Sequence, residues 1–296
     1  MRLGIIGGSG IERLPGIDEW ETLDIPSPFG PPSAPLKRAR IEGTEIVFLA
    51  RHGPGHRIPP HAIPYRANID CLKRAGVTDA VSLSACGSLR HDLPPGTFVL
   101  VDQFIDRTRR VSSFFDEGLV AHVSMADPTC SRLRSMAADA LRTLRIPFTP
   151  TGTYLAMEGP QFSTRAESRL YRGWGADVIG MTNMPEARLA REAELCYLTV
   201  AMVTDYDSWR VHEDGVDVTA ILEILATNRE VAGRLVADLA RRLGVCGRPE
   251  PCPAGCDRAL DHAVITAPTA RDPELRDRLD AILARWHGVQ ERKGAG

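Results

Sequence analysis

The chain has 296 residues, 43% of them hydrophobic, enough to bury a sizeable core in one large α/β domain or two small ones. Its 36 basic and 38 acidic residues give a formal charge of −2, so no field of one sign offers a surface to nucleic acid or an anionic membrane. There is no run of about 18 apolar residues to span a membrane, and MRLGIIGGSG turns glycine-rich too early for a secretory signal, so a cytosolic protein is expected.

RLGIIGGSG reads as a buried strand that ends in a glycine turn able to hold backbone N–H groups towards a ligand. TEIVFLARHG repeats the design, its apolar run stopping at Arg51, His52 and Gly53. IPYRANIDCLKRAG has apolar residues at helical spacing and closes on Gly76, and the run from Ala80 to Ser88 is a third strand that stops at small polar residues. GTFVLVDQFI reads as one strand, DPTCSRLRSMAADALRTL as an amphipathic helix, and GTYLAMEGP as a strand ending at Gly159 and Pro160. A capping-box signature across Ser163 to Glu167 places a helix N-terminus, with its unpaired N–H donors, beside Ser163. ADVIGMT is then a short strand, MPEARLAREAEL a helix, CYLTVAMVT a long buried strand, and DVTAILEILATNREVAGRLVADLARRL the longest helical pattern. Alternating strands and helices predict a layered α/β sheet as far as about residue 245.

Beyond Val245 the composition shifts to Cys, Pro and Gly, and ARDPELRDRLDAILARWHGVQERK predicts one more amphipathic helix. The seven cysteines are an odd number and form no disulfide framework. Cys71, Cys86, Cys130 and Cys196 read as single buried thiols. Cys246, Cys252 and Cys256 cluster in CGRPEPCPAGC, a metal site, a disulfide or a linker. Without a C-x2-C pair, and with only His262 as a conceivable fourth ligand, the linker reading is preferred and no metal is expected.

In open α/β sheets the ligand crevice lies at the carboxyl ends of the strands. The residues ending these runs are Gly7 to Gly10, Arg51 and His52, Ser84 and Ala85, Phe162 and Ser163, Met181 and Thr182, and Asp205 to Asp207. The first half of this set supplies backbone donors, a guanidinium, an imidazole and hydroxyls, the equipment for one phosphate. The second supplies an aromatic ring, a hydroxyl and two carboxylates, which suit a flat heterocycle such as a nucleobase. Each signal has a plainer reading: GGSG as a tight turn, Arg51-His52 as a surface pair, the two acids as a loop start. Asp205 resists it, because burial at the end of an apolar strand would raise its pKa and let it donate a proton.

GGSG, FLARHG with H-x3-P downstream, SACGSL, VDQFIDRT, MEGPQFSTRAE, WGADVIGMTNMPE and TDYDSWR occur in this order between about residue 3 and about residue 243. Together they closely resemble the 5′-methylthioadenosine phosphorylases of the trimeric purine nucleoside phosphorylase family. The resemblance implies a single α/β domain of the phosphorylase/hydrolase-like fold, over residues 1–245, with a mixed, partly barrel-like sheet flanked by helices. Residues 246–296 are then a divergent extension. It further implies a homotrimer acting on a nucleoside, with orthophosphate as co-substrate and neither metal nor organic cofactor. Ser9, Arg51, His52, Ser84, Ala85 and Thr182 would hold phosphate, and Met181 would lie under the ribose. Phe162 would stack near the base and Ser163 would sit at its polar edge. Asp205 and Asp207, with Tyr206 between them, would face N7 and the 6-amino group as the catalytic pair. His122 of a neighbouring subunit, with Val218 and Ile221, would surround the 5′ substituent.

Oxopurine enzymes of the family place Glu and Asn where this chain has Ser163 and Asp205, so adenine is favoured: carboxylates accept from its N–H groups, whereas O6 needs a donor. Methylthio is the expected 5′ substituent. A 5′-halogeno analogue is the near alternative, a methylthioinosine or general purine nucleoside phosphorylase a more distant one. A nucleoside hydrolase or a non-catalytic nucleoside-binding protein stands furthest away.

Overall fold

The structure, a computed structural model of the chain, describes residues 1–8, 14–210 and 218–294, with side chains left out at 218–221 and 289–294. The N-terminal half runs β1 (Arg2–Gly7), β2 (Glu21–Leu23), β3 (Leu36–Ile41), β4 (Thr44–Ala50), α1 (Tyr65–Arg74), β5 (Asp79–Ser88), β6 (Phe98–Leu100) and β7 (Gln103–Asp106). It continues with α2 (Ser131–Leu144), β8 (Phe148–Thr149), β9 (Thr153–Ala156), α3 (Arg165–Gly173), β10 (Val178–Gly180), α4 (Asn183–Glu192) and β11 (Cys196–Tyr206). The long α5 (Val218–Cys246) and the shorter α6 (Pro273–Arg278) and α7 (Asp280–Gly294) complete it.

The sheet is mixed and branches at β5. Residues Asp79 to Ser82 pair parallel with β1, Gly87 and Ser88 pair antiparallel with β10, and β11 runs parallel along the whole strand. β1 and β4 are parallel, β2 and β3 extend that side as an antiparallel hairpin, and β9 and β7 follow β10 on the other. A single strand therefore carries the sheet from one half to the other, and the carboxyl ends of β1, β4, β5, β10 and β11 gather at one place. Helices cover both faces. On α2, Leu133, Ala137, Ala140 and Leu141 are buried at helical spacing against β11 and α5. Each fully buried Leu, Ile or Phe of these layers contributes about 1.5–3 kcal/mol over its exposed state.

Several expectations are corrected. GTFVLVDQFI is two strands, β6 pairing with β11 and β8, and β7 pairing with β9. The last predicted helix is likewise two, α6 and α7, meeting at Leu279. The capping box belongs to Thr164, whose hydroxyl accepts from the Glu167 N–H at 3.2 Å while Glu167 accepts from the Thr164 N–H at 2.8 Å. Asp205 lies within β11 rather than after it. The stretch read as a linker seats Cys252 and Cys256 in the core beside Cys130 and Cys196, so those two are not isolated thiols, while Cys246 and His262 are exposed. Further on, Leu260, Leu275, Ile282, Leu283 and Trp286 share one apolar cluster with Ile69 and Leu72 of α1 and Leu189 of α4.

Candidate active site

The gathered strand ends enclose a cavity of about 300 Å³. Its walls include Gly8, Arg51, His52, Ser84, Ala85, Phe162, Met181, Thr182, Asp205 and Asp207, ten of the expected residues separated by up to two hundred positions in the chain, although Ser84 and Ala85 lie within β5 rather than at its end. Ser9 falls outside the described residues, as do the side chains of Val218 and Ile221.

On one wall Arg51, 2% exposed, is held in a fork. Nε donates to Glu186 Oε2 at 2.8 Å, Nη2 to Glu186 Oε1 at 3.2 Å and to Ser82 Oγ, and Nη1 to the Leu83 carbonyl at 3.2 Å. Those bonds use four of the five guanidinium N–H groups and leave one on Nη1. Burial opposes the Arg51 charge, and the adjoining Glu186 carboxylate more than restores it. Glu186 is itself fixed by the Tyr197 hydroxyl at 2.8 Å. Ser84 Oγ lies 3.4 Å from Thr182 Oγ1 and 3.2 Å from the Tyr154 hydroxyl. Burial pushes the Tyr154 phenol up to about 12, so it stays protonated. Gly180 is required there, since a Cβ would stand 1.9 Å from the Tyr154 oxygen.

His52 is buried and its pKa falls to about 4, chiefly through desolvation. The ring is therefore neutral at pH 7. Its Nδ1 lies 2.8 Å from the Ile58 carbonyl and must carry the proton, leaving Nε2 as an acceptor. The His52 ring stacks on His56 with centroids 4.0 Å apart, and His56 joins the cavity wall.

The opposite wall depends on a bulge. In β11, Val203 pairs with Cys86 but Asp205 pairs with Gly87, so Thr204 is the extra residue and the strand re-aims beyond it. Side chains then alternate: Asp205 and Asp207 line the cavity, whereas Tyr206 points away, its hydroxyl donating to the His91 carbonyl at 3.2 Å. Tyr206 is thus not a wall residue, contrary to expectation. Gly87 leaves room for the acids, because a Cβ there would lie 3.3 Å from Asp205 Oδ2. Burial raises Asp205 to about 6; the Thr204 hydroxyl, donating to Oδ1 at 2.7 Å, pulls the other way, and the Asp207 charge adds to the rise. Asp207 is raised too, first by burial, with the Ser168 and Ser163 hydroxyls opposing. Its Oδ2 is buried without a hydrogen bond.

Ser163 is buried just behind this wall, its hydroxyl 3.6 Å from Met157 Sδ, and Met157 rather than Ser163 lines the cavity. Phe162, 49% exposed, stands at the rim. His122 is exposed and lies away from the cavity of its own chain, in a segment bonded to the Ala263 carbonyl. Sequence reasoning missed His56, Glu186, Leu225 and Arg229. It also missed Arg110, which ties the Met181 and Glu158 carbonyls together at 2.7 Å each. Leu225 and Arg229 could have been found from α5, where they sit one helical turn apart.

The model of the phosphorylase superfamily matches residues 2–241. The S-methyl-5′-thioadenosine phosphorylase of Bradyrhizobium diazoefficiens is 60% identical over 284 residues, 96% of this chain and 97% of its own. A methylthioadenosine phosphorylase from an antarctic soil metagenomic library superposes with a TM-score of 0.89 at 42% identity, over 95% of this chain and 98% of its own. Methylthioadenosine phosphorylase from Schistosoma mansoni, solved in complex with adenine, superposes with a TM-score of 0.79 at 34% identity, over 83% of this chain and 92% of its own.

Proposed function

We infer, from the premise that this chain belongs to the phosphorylase superfamily, that it cleaves S-methyl-5′-thioadenosine, or a closely related 5′-deoxy-5′-modified adenosine, with orthophosphate. The products are adenine and the 5-modified ribose 1-phosphate. One observation carries the reading: Arg51, His52, Ser84 and Thr182 share a cavity with the buried pair Asp205 and Asp207. The first group suits a phosphate and the second a protonatable purine, and glycosyl transfer between them needs both at once.

In this reading a phosphate oxygen forms a bond to C1′ as the C1′–N9 bond breaks and its electron pair passes to the purine. Asp205, protonated up to about pH 6, delivers its proton to N7 so that adenine leaves neutral. Asp207 accepts from the 6-amino group through its unpaired Oδ2. The free N–H of Arg51, the hydroxyls of Ser84 and Thr182, and backbone N–H groups near Ala85 and Ser9 hold the phosphate, and neutral His52 accepts from a protonated phosphate oxygen. The anchored anion is both the nucleophile and the counter-charge to the cationic sugar. Met181 lies under the ribose, Phe162 covers the base and Ser163 backs its polar edge.

The reading includes a homotrimer of the cytosol that needs no cofactor at the reacting atoms. Exposed His122 is then the side chain that a neighbouring subunit inserts beside Val218 and Ile221, around the 5′ group. The test is product analysis with adenosine, S-methyl-5′-thioadenosine, methylthioinosine and a 5′-chloro analogue, each with and without phosphate. Adenine release that depends on phosphate and favours the 5′-methylthio substrate is expected. Equal rates without phosphate would overturn the phosphorylase reading, and preference for methylthioinosine would overturn the adenine assignment.

A further inference from the structure

At the amino end of β11, remote from the cavity, three distant segments deliver four thiols to one point. Cys130 is the N-cap residue of α2, Cys196 opens β11, and Cys252 and Cys256 flank a turn after α5. All four are buried, and their sulfurs lie within 4.8 Å of one another. Cys130 Sγ and Cys252 Sγ are 3.8 Å apart. A tetrahedral tetrathiolate with metal–sulfur bonds of about 2.3 Å has edges of about 3.8 Å. The cluster therefore has the size of such a cage.

Positive groups border the cluster. Cys130 sits at the positive end of the α2 dipole, and Arg248 Nη2 lies 3.7 Å from Cys196 Sγ. Arg132 and Arg248 both pair with the buried Asp79, and each keeps a buried Nε–H without a hydrogen bond. The turn that presents the last two sulfurs is built for it. Gly255 takes a left-handed φ of +66° and donates to the Cys252 carbonyl at 2.8 Å, while Asp257 accepts from the Cys252 N–H at 2.9 Å.

We propose that Cys130, Cys196, Cys252 and Cys256 form a structural zinc site that fastens the segment after α5 to the sheet. Four buried sulfur ligands leave no open position for a reactant, which marks a structural rather than a catalytic centre, and an all-thiolate tetrahedral set selects zinc over harder cations. Cys196 and Asp205 are nine residues apart on one strand, about 30 Å, so the ion takes no part in the chemistry at the cavity. The sequence concealed the site because the partner cysteines of the CPAGC turn lie 56 or more positions away from it.

The test is metal analysis of the full chain, purified without chelator from zinc-supplemented cells, combined with thiol titration and cobalt exchange. Equimolar zinc is expected, together with the intense visible ligand-field bands of a tetrathiolate cobalt form. Cys252→Ser and Cys256→Ser should each abolish stoichiometric zinc, while Cys246→Ser keeps it. Chelation should lower the thermal midpoint and leave kcat of the still-folded protein within about twofold, given the ~30 Å separation. Four free thiols with no zinc and no cobalt spectrum would overturn the proposal, as would recovery of the four sulfurs as disulfides in freshly purified protein. Should the serine variants fail to fold, metal content and the cobalt spectrum of the native chain decide the matter alone.

Discussion

Asp205→Asn removes the proton that Asp205 holds up to about pH 6 while keeping a side-chain oxygen to accept from Thr204 at the same place. If Asp205 protonates N7, kcat should fall by about 10² to 10⁴, the usual range for a lost general acid, or about 3–5 kcal/mol of barrier. Stability should move the opposite way. The folded carboxyl binds its proton to about pH 6 and the unfolded one to 3.8, so between those values the native state holds more protons and stability falls as pH rises. Above pH 6 the accumulated cost is on the order of 3 kcal/mol, and the amide does not bear it. The variant should thus be slower yet more resistant to urea at pH 8, with the advantage gone at pH 4. Adenine release measured chromatographically and urea unfolding at the two pH values check both arms. In the native enzyme kcat/KM should decline above about pH 6, and the variant should lack that limb. A variant within about threefold of native kcat, or one that is slow only because it is less stable, would refute the reasoning.

Glu186→Gln should weaken phosphate use by about 10- to 100-fold in kcat/KM, with the nucleoside KM little changed, because the Arg51 fork loses its bidentate partner. Breaking this buried pair should also cost about 3–5 kcal/mol in a denaturation assay. Tyr206→Phe should stay within about twofold of native kcat/KM, since the hydroxyl bonds a carbonyl outside the cavity and its loss is worth only about 1 kcal/mol of stability. Gly180→Ala should destabilise by about 1–3 kcal/mol and lower phosphate affinity, because its methyl must displace Tyr154 from Ser84; an unchanged melting temperature would show that the contact is not tight.

The apolar runs ending in polar residues were enough, without coordinates, to identify β1, β4, β5 and β11 and to nominate Arg51, His52, Ser84, Thr182, Asp205 and Asp207. Strand periodicity and strand termination are local properties, carried by five to ten consecutive side chains, and the parallel strands β1, β4, β5 and β11 bring their carboxyl ends to one side. Glu186 lies 135 positions from Arg51, and nothing in either segment announces the pairing. The bulge at Thr204 depends on what β5 presents opposite it, so only tertiary structure decided that Asp205 and Asp207 enter the cavity while Tyr206 leaves it. The same limit hid the four-cysteine cluster: each thiol alone is an ordinary buried side chain, and their meeting depends on how α2, β11 and the chain after α5 pack. Sequence alone determined which residues could do chemistry at the strand ends. Packing between segments remote in the chain decided which of them meet, what orients them, and that a second, sulfur-lined centre stands at the other end of the sheet.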